Sequence, residues 1–198
     1  MSRLGLLGGT FDPPHYGHLV AAQEAAWRLP LDRVLFLPAR QNPLKVGTSS
    51  TPADMRCQMV QLAIQGDARF ELSRLDLERP GPSYTVDLLR SLQAPGCELF
   101  FIVGGDILPE LPLWHAPDEI LALTVLVVLA RPGAPRPNIV DLEARLPAAR
   151  GRIQLVAAPG VDISSTELRA RVRSGQPIRY LTPPAVEEFI RTRGLYRA

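Results

Sequence analysis

The residues with the most chemistry to offer sit in one short run, Gly8-Gly9-Thr10-Phe11-Asp12-Pro13-Pro14-His15-Tyr16-Gly17-His18. Glycine carries no Cβ, so the backbone at Gly8 and Gly9 can approach a ligand closely. A helix that starts just after such a run aims its unpaired N–H groups and its positive dipole end at the same point. A phosphate fits that field. The run is not a P-loop, because no Gly-Lys-Ser/Thr follows, and it lacks the Gly-x-Gly-x-x-Gly spacing of dinucleotide sites. His15 and His18 are three apart, which brings two side chains onto one helix face. As a metal pair they would leave a coordination shell incomplete, since His115 is the only other histidine. As imidazoles at the mouth of a glycine loop they would contact phosphate. Ordinary capping of the helix start is the remaining alternative.

A second run, Asp162-Ile163-Ser164-Ser165-Thr166-Glu167-Leu168-Arg169-Ala170-Arg171, has the pattern of a helix start. Ser164 is the candidate N-cap and Glu167 its partner in a capping box. The same start would present Ser165, Thr166 and, one turn in, Arg169, whose planar fork can clamp a phosphate. Two anion-binding helix starts in a chain of this size predict a polyphosphate held along its length. Of the 22 basic residues only Lys45 is a lysine, which singles it out.

Placing these residues requires alternating strands and helices. The patterning predicts strands over 3–7, 33–37, 69–73, 99–103, 123–130 and 152–156. Helices are predicted over 17–29, from Pro52 onward with Thr51 as its cap, from Ser83 or a neighbour to 92, and over 139–146, 166–173 and 184–193. Loops are predicted over 38–50 and, rich in proline, over 131–137. The stretch 99–103 is wholly apolar and so belongs at the centre of a parallel sheet. This βαβα order predicts an α/β fold, a doubly wound parallel sheet of five to six strands with helices on both faces, in a single domain spanning 1–198. In such sheets ligands lie beyond the carboxyl ends of the strands, where the strand order reverses.

Composition excludes several classes. With 198 residues, 46% hydrophobic and 21% charged, the chain is far from a disordered tail. A net charge of +2 offers no bulk attraction to nucleic acid or to a membrane surface. The longest strongly apolar run, 121–130, is well short of the roughly 20 residues a bilayer crossing needs. No isolated apolar segment follows a charged start, so no signal peptide is expected and the cytoplasm is the expected compartment. Cys57 and Cys97 are too few for a disulfide framework, lack metal-site spacing, and are expected to be reduced packing residues.

The first run, continued to Leu19, resembles the His/Thr-x-Gly-His signature of the nucleotidyltransferase superfamily. The second resembles that superfamily's Ile-Ser-x-Thr-x-Ile/Leu-Arg motif. Gly81-Pro82-Ser83-Tyr84-Thr85-Val86-Asp87-Leu88-Leu89 resembles the Pro-Ser-Tyr-Thr-x-Asp-Thr-Leu stretch of the bacterial nicotinate-nucleotide adenylyltransferases. Gly104-Gly105-Asp106 with Leu111 and Trp114 is similar to their Gly-x-Asp…Leu-x-x-Trp, and 128–133 to their arginine-proline-glycine turn. The resemblance spans essentially the whole chain. It departs at Asn42-Pro43-Leu44-Lys45, where many members carry Pro-Pro-His-Lys, so that Leu44 replaces a histidine; Leu88 stands where the family has threonine.

The resemblance implies a Rossmann-like fold. It also implies transfer of the adenylyl group of ATP to nicotinate mononucleotide, giving deamido-NAD and pyrophosphate. Adenylyl transfer to pantetheine phosphate or to nicotinamide mononucleotide, and a non-catalytic nucleotide-binding module, are the alternatives. His15, His18, Lys45 and Arg169 are then the catalytic residues. Gly8, Gly9, Thr10, Phe11, Gly104, Asp106, Ile163, Ser165 and Thr166 would bind ATP, and Tyr84, Thr85, Trp114 and Arg131 the mononucleotide. Backbone N–H groups at Tyr84 and Thr85, at a helix start, favour the carboxylate of nicotinate over a neutral amide. Trp114 offers a flat face to a pyridinium ring. Capping by Ser83, a core role for Trp114 and a loop-capping role for Asp106 are the structural alternatives. Mg²⁺ is expected to enter mainly through the ATP phosphates, with no dedicated protein ligands. ATP and nicotinate mononucleotide are the expected partners, without nucleic acid or membrane, and an oligomer is possible.

Overall fold

A computed structural model describes residues 1–40, 51–79, 83–130, 133 and 138–197. The chain runs β1 (Ser2–Gly9), α1 (Tyr16–Arg28), β2 (Arg33–Pro38), α2 (Ala53–Ala63), β3 (Phe70–Leu72), α3 (Leu75–Glu78) and α4 (Thr85–Leu92). It continues through β4 (Cys97–Gly104), α5 (Pro117–Leu123), β5 (Val125–Ala130), α6 (Ile139–Arg145), β6 (Ile153–Ala157), α7 (Ser165–Arg173) and α8 (Pro184–Arg193). The six strands form one sheet in the order β3-β2-β1-β4-β5-β6, and every pairing is parallel. Strand order reverses between β1 and β4, where Leu7 pairs with Ile102. Gly9 and Gly104 therefore close their strands at the same edge, on either side of the switch point.

The strand sequences explain the burial. In β4 the residues from Leu99 to Val103 are all buried, and in β5 those from Val125 to Leu129. Such unbroken apolar runs suit a strand covered on both faces. One face carries Leu4, Leu6, Phe101, Val103, Leu126 and Val128, under residues of α4, α5 and α6. The other carries Leu7, Val34, Phe36, Phe100, Ile102 and Val127, under α1 and α2. The short side chains of Ala22, Ala25 and Ala26 let α1 lie close on that face. A third cluster, with Met59, Leu168, Val186 and Ile190, bolts α7 and α8 to α2 outside the sheet. That bolt sets where α7 begins.

The six strands lie within one or two residues of the predicted ones at most ends, and the doubly wound parallel arrangement is as expected. The differences have local causes. β5 starts at Val125 rather than 123, because 117–123 forms α5; Thr124 then extends the chain and donates its hydroxyl to the Leu99 carbonyl at 2.8 Å. Thr51 does not cap α2. Pro52 holds the N-cap position and the Thr51 N–H goes to Asp12. Ser83 does not cap α4 either: Tyr84 is at the N-cap, and the Ser83 Oγ is buried without a partner among the described residues. Short α3 and α5, and the 3-10 turns Gly105–Ile107 and Leu111–Leu113, were not predicted; they are too brief to show helical periodicity. Most of the predicted 38–50 loop and of the 131–137 connection lies outside the described residues. Both cysteines are free, Cys57 buried and Cys97 half-buried. Among the described residues no helix is long and apolar enough to cross a membrane.

Leu126 stands in β5 between Phe101 of β4 and Ile153 of β6 and is fully buried. Leu126→Ala is expected to lower stability by about 2–5 kcal/mol in denaturant unfolding. It should leave ligand affinities at the switch point unchanged, since Leu126 faces away from that edge into the core.

Candidate active site

After Gly9 the chain makes a tight passage before α1 begins. Phe11 adopts a left-handed conformation (φ 52°), and the Asp12–Pro13 bond is cis. Nearly every carbonyl along this passage accepts a hydrogen bond from elsewhere in the protein. Ala39 N donates to Gly9 O at 2.8 Å. Arg56 Nη1 donates to Thr10 O at 2.7 Å, and Arg169 Nη1 to Asp12 O at 2.8 Å. Ser165 Oγ donates to Pro13 O at 2.8 Å and Thr182 Oγ1 to Pro14 O at 2.7 Å. The oxygens are thereby turned into the protein, and the outer side of the loop is relieved of their negative ends.

The two histidines form a single unit. His15 occupies the N-cap of α1, and its N–H donates to His18 Nδ1 at 3.2 Å. The rings lie 3.8 Å apart, centroid to centroid, at 34°. An Nδ1 that accepts carries no proton, so the hydrogen-bond pattern assigns the proton of a neutral His18 to Nε2. Phe11 meets the His18 ring edge-on at 4.9 Å. The capping alternative is thus realised, and it orients a donor rather than excluding one. Gly17 is required by this packing: a Cβ there would stand 2.9 Å from His15 Nδ1 and 3.7 Å from the Ile163 carbonyl. Gly9 is constrained in the same way, since a Cβ would lie 3.1 Å from the Phe11 ring.

The second motif forms its predicted helix start, but only half of the predicted capping box. Ser164 caps α7, its Oγ accepting from Glu167 N at 3.1 Å. The Glu167 carboxylate turns to Arg171 at 3.6 Å instead of closing the box. Arg169 spends one Nη on Asp12 O and approaches Thr166 Oγ1 with the other at 3.3 Å. The Ser165 hydroxyl points at the loop, so what α7 offers outward is its backbone N–H groups, Thr166 and the rest of the Arg169 fork. Gly8, Gly9, Thr10, Phe11, His15, His18, Ile163, Ser165, Thr166 and Arg169 are thus brought together through bonds between residues 152 and 157 positions apart in the chain.

Across the switch point, the exposed Asp106 folds its carboxylate against the Cα of Gly104, in the space a Cβ would need. Tyr84 and Thr85 open α4. The Tyr84 ring stacks on His115, with centroids 4.4 Å apart at 31°. Trp114 is half-buried and meets Phe101 edge-on at 6.2 Å, with its Nε1 buried and without a partner among the described residues. It therefore packs on the core and still shows part of its surface. Lys45 and Arg131 lie outside the described residues.

Sequence reasoning missed Arg56, Thr182, Tyr196 and His115. Arg56 had a usable signal, because it shares a helix face with Met59, Val60 and Ala63, all buried; a charge on an apolar face needs a reason. Burial draws its guanidinium below the usual value, opposed chiefly by the nearby Asp12 carboxylate. Thr182 and Tyr196 had none, since their partners are 168 and 184 residues away. Among the described residues no group of three or more His, Cys, Asp or Glu side chains could hold a metal ion.

A family model described as cytidylyltransferase-like matches residues 6–171. A probable nicotinate-nucleotide adenylyltransferase of Thermomicrobium roseum is 49% identical, covering 100% of this chain and 92% of that relative. One of Roseiflexus sp. is 48% identical over 98% of both. The chain belongs to the nicotinate-nucleotide adenylyltransferase family. Its fold is also that of a solved member, the Plasmodium falciparum nicotinic acid mononucleotide adenylyltransferase complexed with APC, at a TM-score of 0.80 and 19% identity, covering 99% of this chain and 98% of that one. For this adenylyltransferase family member, Gly17→Ala is expected to displace the His15 ring and weaken binding of an ATP analogue. kcat should fall by up to about a hundredfold in a protein that circular dichroism shows to be folded.

Proposed function

We propose that this chain transfers the adenylyl group of ATP to nicotinate mononucleotide, giving deamido-NAD and pyrophosphate, and that it does so in the cytoplasm as a single catalytic domain. The observation that carries the reading is the meeting of two helix starts on one loop. Arg169 and Ser165 of α7 hold the Asp12 and Pro13 carbonyls at 2.8 Å, while α1 begins at the same loop with its paired histidines. A triphosphate fits between two such positive ends.

The nucleophile is the 5′-phosphate of the mononucleotide. Its second pKa, about 6 as for phosphoserine, leaves it mostly dianionic at pH 7, so no protein base is required. Catalysis then consists of aligning two anions and stabilising the charge that builds between them. The phosphate attacks the α-phosphorus of ATP in line, the bond to the bridging oxygen breaks, and pyrophosphate leaves. His18, its Nδ1 engaged by the His15 N–H, directs Nε2–H at the α-phosphate, with His15 beside it. The Arg169 fork, Thr166 and the backbone N–H groups of α7 hold the β- and γ-phosphates. Ser165 assists through Pro13, and Lys45 offsets repulsion between the two substrates. Gly104 and Asp106 receive the ribose. Tyr84 and Thr85 at the start of α4 receive the nicotinate carboxylate, Trp114 its ring, and Arg131 the mononucleotide. Imidazole, hydroxyl, guanidinium and N–H donors do not form a metal cage. They suit a magnesium ion that binds mainly to the phosphates and keeps its waters, where it supplies charge neutralisation.

Purified protein with magnesium and ATP should release pyrophosphate on addition of nicotinate mononucleotide, and more slowly with nicotinamide mononucleotide. Release with neither, from folded protein, defeats the reading. His18→Asn retains an acceptor for the His15 N–H but has no Nε2 donor. Thermal stability should stay close to wild type while kcat drops by about 10²–10³, measured by the same release.

A further inference from the structure

Adenylyl transfer leaves the buried Arg56 and Asp12 and the half-buried Tyr196 without a role. Arg56, 1% exposed, divides its guanidinium among three carbonyls: Thr10 at 2.7 Å, Ala39 at 2.8 Å and Thr51 at 3.0 Å. The Asp12 side chain, 4% exposed, accepts from Thr51 N at 3.1 Å and from the Tyr196 hydroxyl at 2.5 Å. Tyr196 arrives there by a defined route. Gly194 ends α8 in the left-handed conformation (φ 62°), and Leu195 N donates back to Ile190 O at 3.1 Å. Tyr196 is itself left-handed (φ 63°), which is costly for a bulky side chain and persists where the surroundings over-determine it. Burial, and then the bond to Asp12, push its phenol well above the usual range, so it stays a donor.

Asp12 is the point where these contacts converge. Its side chain is gripped by Tyr196 and Thr51, and its carbonyl by Arg169. We propose that Tyr196, acting through Asp12, is a positioning residue for the ATP triphosphate, holding the loop at the spacing from Arg169 and His15 that the tail requires. Arg56 braces the same loop from the Thr10 side. A bound polyanion draws the positive groups around it inward, so a loop free to follow Arg169 would lose the gap between α1 and α7. The proposal rests on the adenylyl-transfer reading only for its turnover measurements.

Tyr196→Phe keeps the ring and removes the donor to Asp12. Titrated with a non-hydrolysable ATP analogue and magnesium, the variant should bind about tenfold more weakly. KM for ATP should rise alike. KM for nicotinate mononucleotide should stay unchanged, because Tyr84 and Trp114 pack on the opposite face of the sheet from α2 and α8. Asp12→Asn should show the same loss, and the double variant no more than the larger single loss, since both act through one link. A folded Tyr196→Phe that melts earlier but binds the analogue and ATP as wild type does overturns the proposal. So do losses that multiply in the double variant. Where Tyr196→Phe does not fold, Asp12→Asn is judged by the same binding criterion. A wild type that binds the analogue but releases no pyrophosphate defeats adenylyl transfer alone, and the titration still decides the role of Tyr196.

Discussion

A loop that is to cradle an anion must dispose of its own carbonyl oxygens. Each is the negative end of a peptide dipole, and a buried one without a donor is costly. Between Gly9 and His15 the protein meets that constraint with donors from four places: Ala39 after β2, Arg56 in α2, Ser165 and Arg169 in α7, and Thr182 before α8. Two consecutive prolines in that loop supply carbonyls but no N–H groups, so Pro13 and Pro14 can be tied from outside and nothing else. Much of the remaining architecture follows. α7 and α8 are packed on α2 by Met59, Leu168, Val186 and Ile190, and that packing delivers the donors to the loop.

The same constraint accounts for a division of labour within the second motif. A sequence reading of Ser165, Thr166 and Arg169 assigns all three to phosphate. In the folded chain the Ser165 hydroxyl and one arm of Arg169 are committed to Pro13 and Asp12. A guanidinium has five N–H donors, so Arg169 can brace the loop and still present charge outward. A lysine, with its single point charge, could not divide itself in this way. Arg56 applies the same property to three carbonyls at once, which together with the nearby Asp12 carboxylate makes a buried charge tolerable.

The strand pattern and the two helix starts were legible in the sequence because both are local. An unbroken apolar run such as 99–103 or 125–129 specifies a doubly covered parallel strand, and Ser164 three residues before Glu167 specifies a cap. What was not legible depended on distance or brevity. The bonds from Thr182 to Pro14 and from Tyr196 to Asp12 join residues far apart in the chain, and no spacing rule announces them. α3 and α5 span a turn or two, too little for periodicity to emerge. Thr51 and Ser83 looked like caps by residue type, but the Thr51 N–H was claimed by Asp12 and Ser83 was buried before its hydroxyl could serve. In each case tertiary packing overrode a local preference.

The sheet itself separates the two halves of the chemistry. The histidine pair and α7 sit with α1 and α2 on one face, while Tyr84, His115 and Trp114 belong to elements that pack on the other. Parallel strands with right-handed crossovers must divide this way at a reversal of strand order, because the helices after β1 and before β4 depart to opposite faces. The histidine loop and the Tyr84–Trp114 region are therefore built from different cores. Changes in the elements around Trp114 leave the carbonyl ties of the loop in place, whereas a change in α2 or α8 reaches those ties first. It is around the loop between Gly9 and His15 that the protein gathers its buried arginine, Arg56, its left-handed Tyr196 and its doubly gripped Asp12.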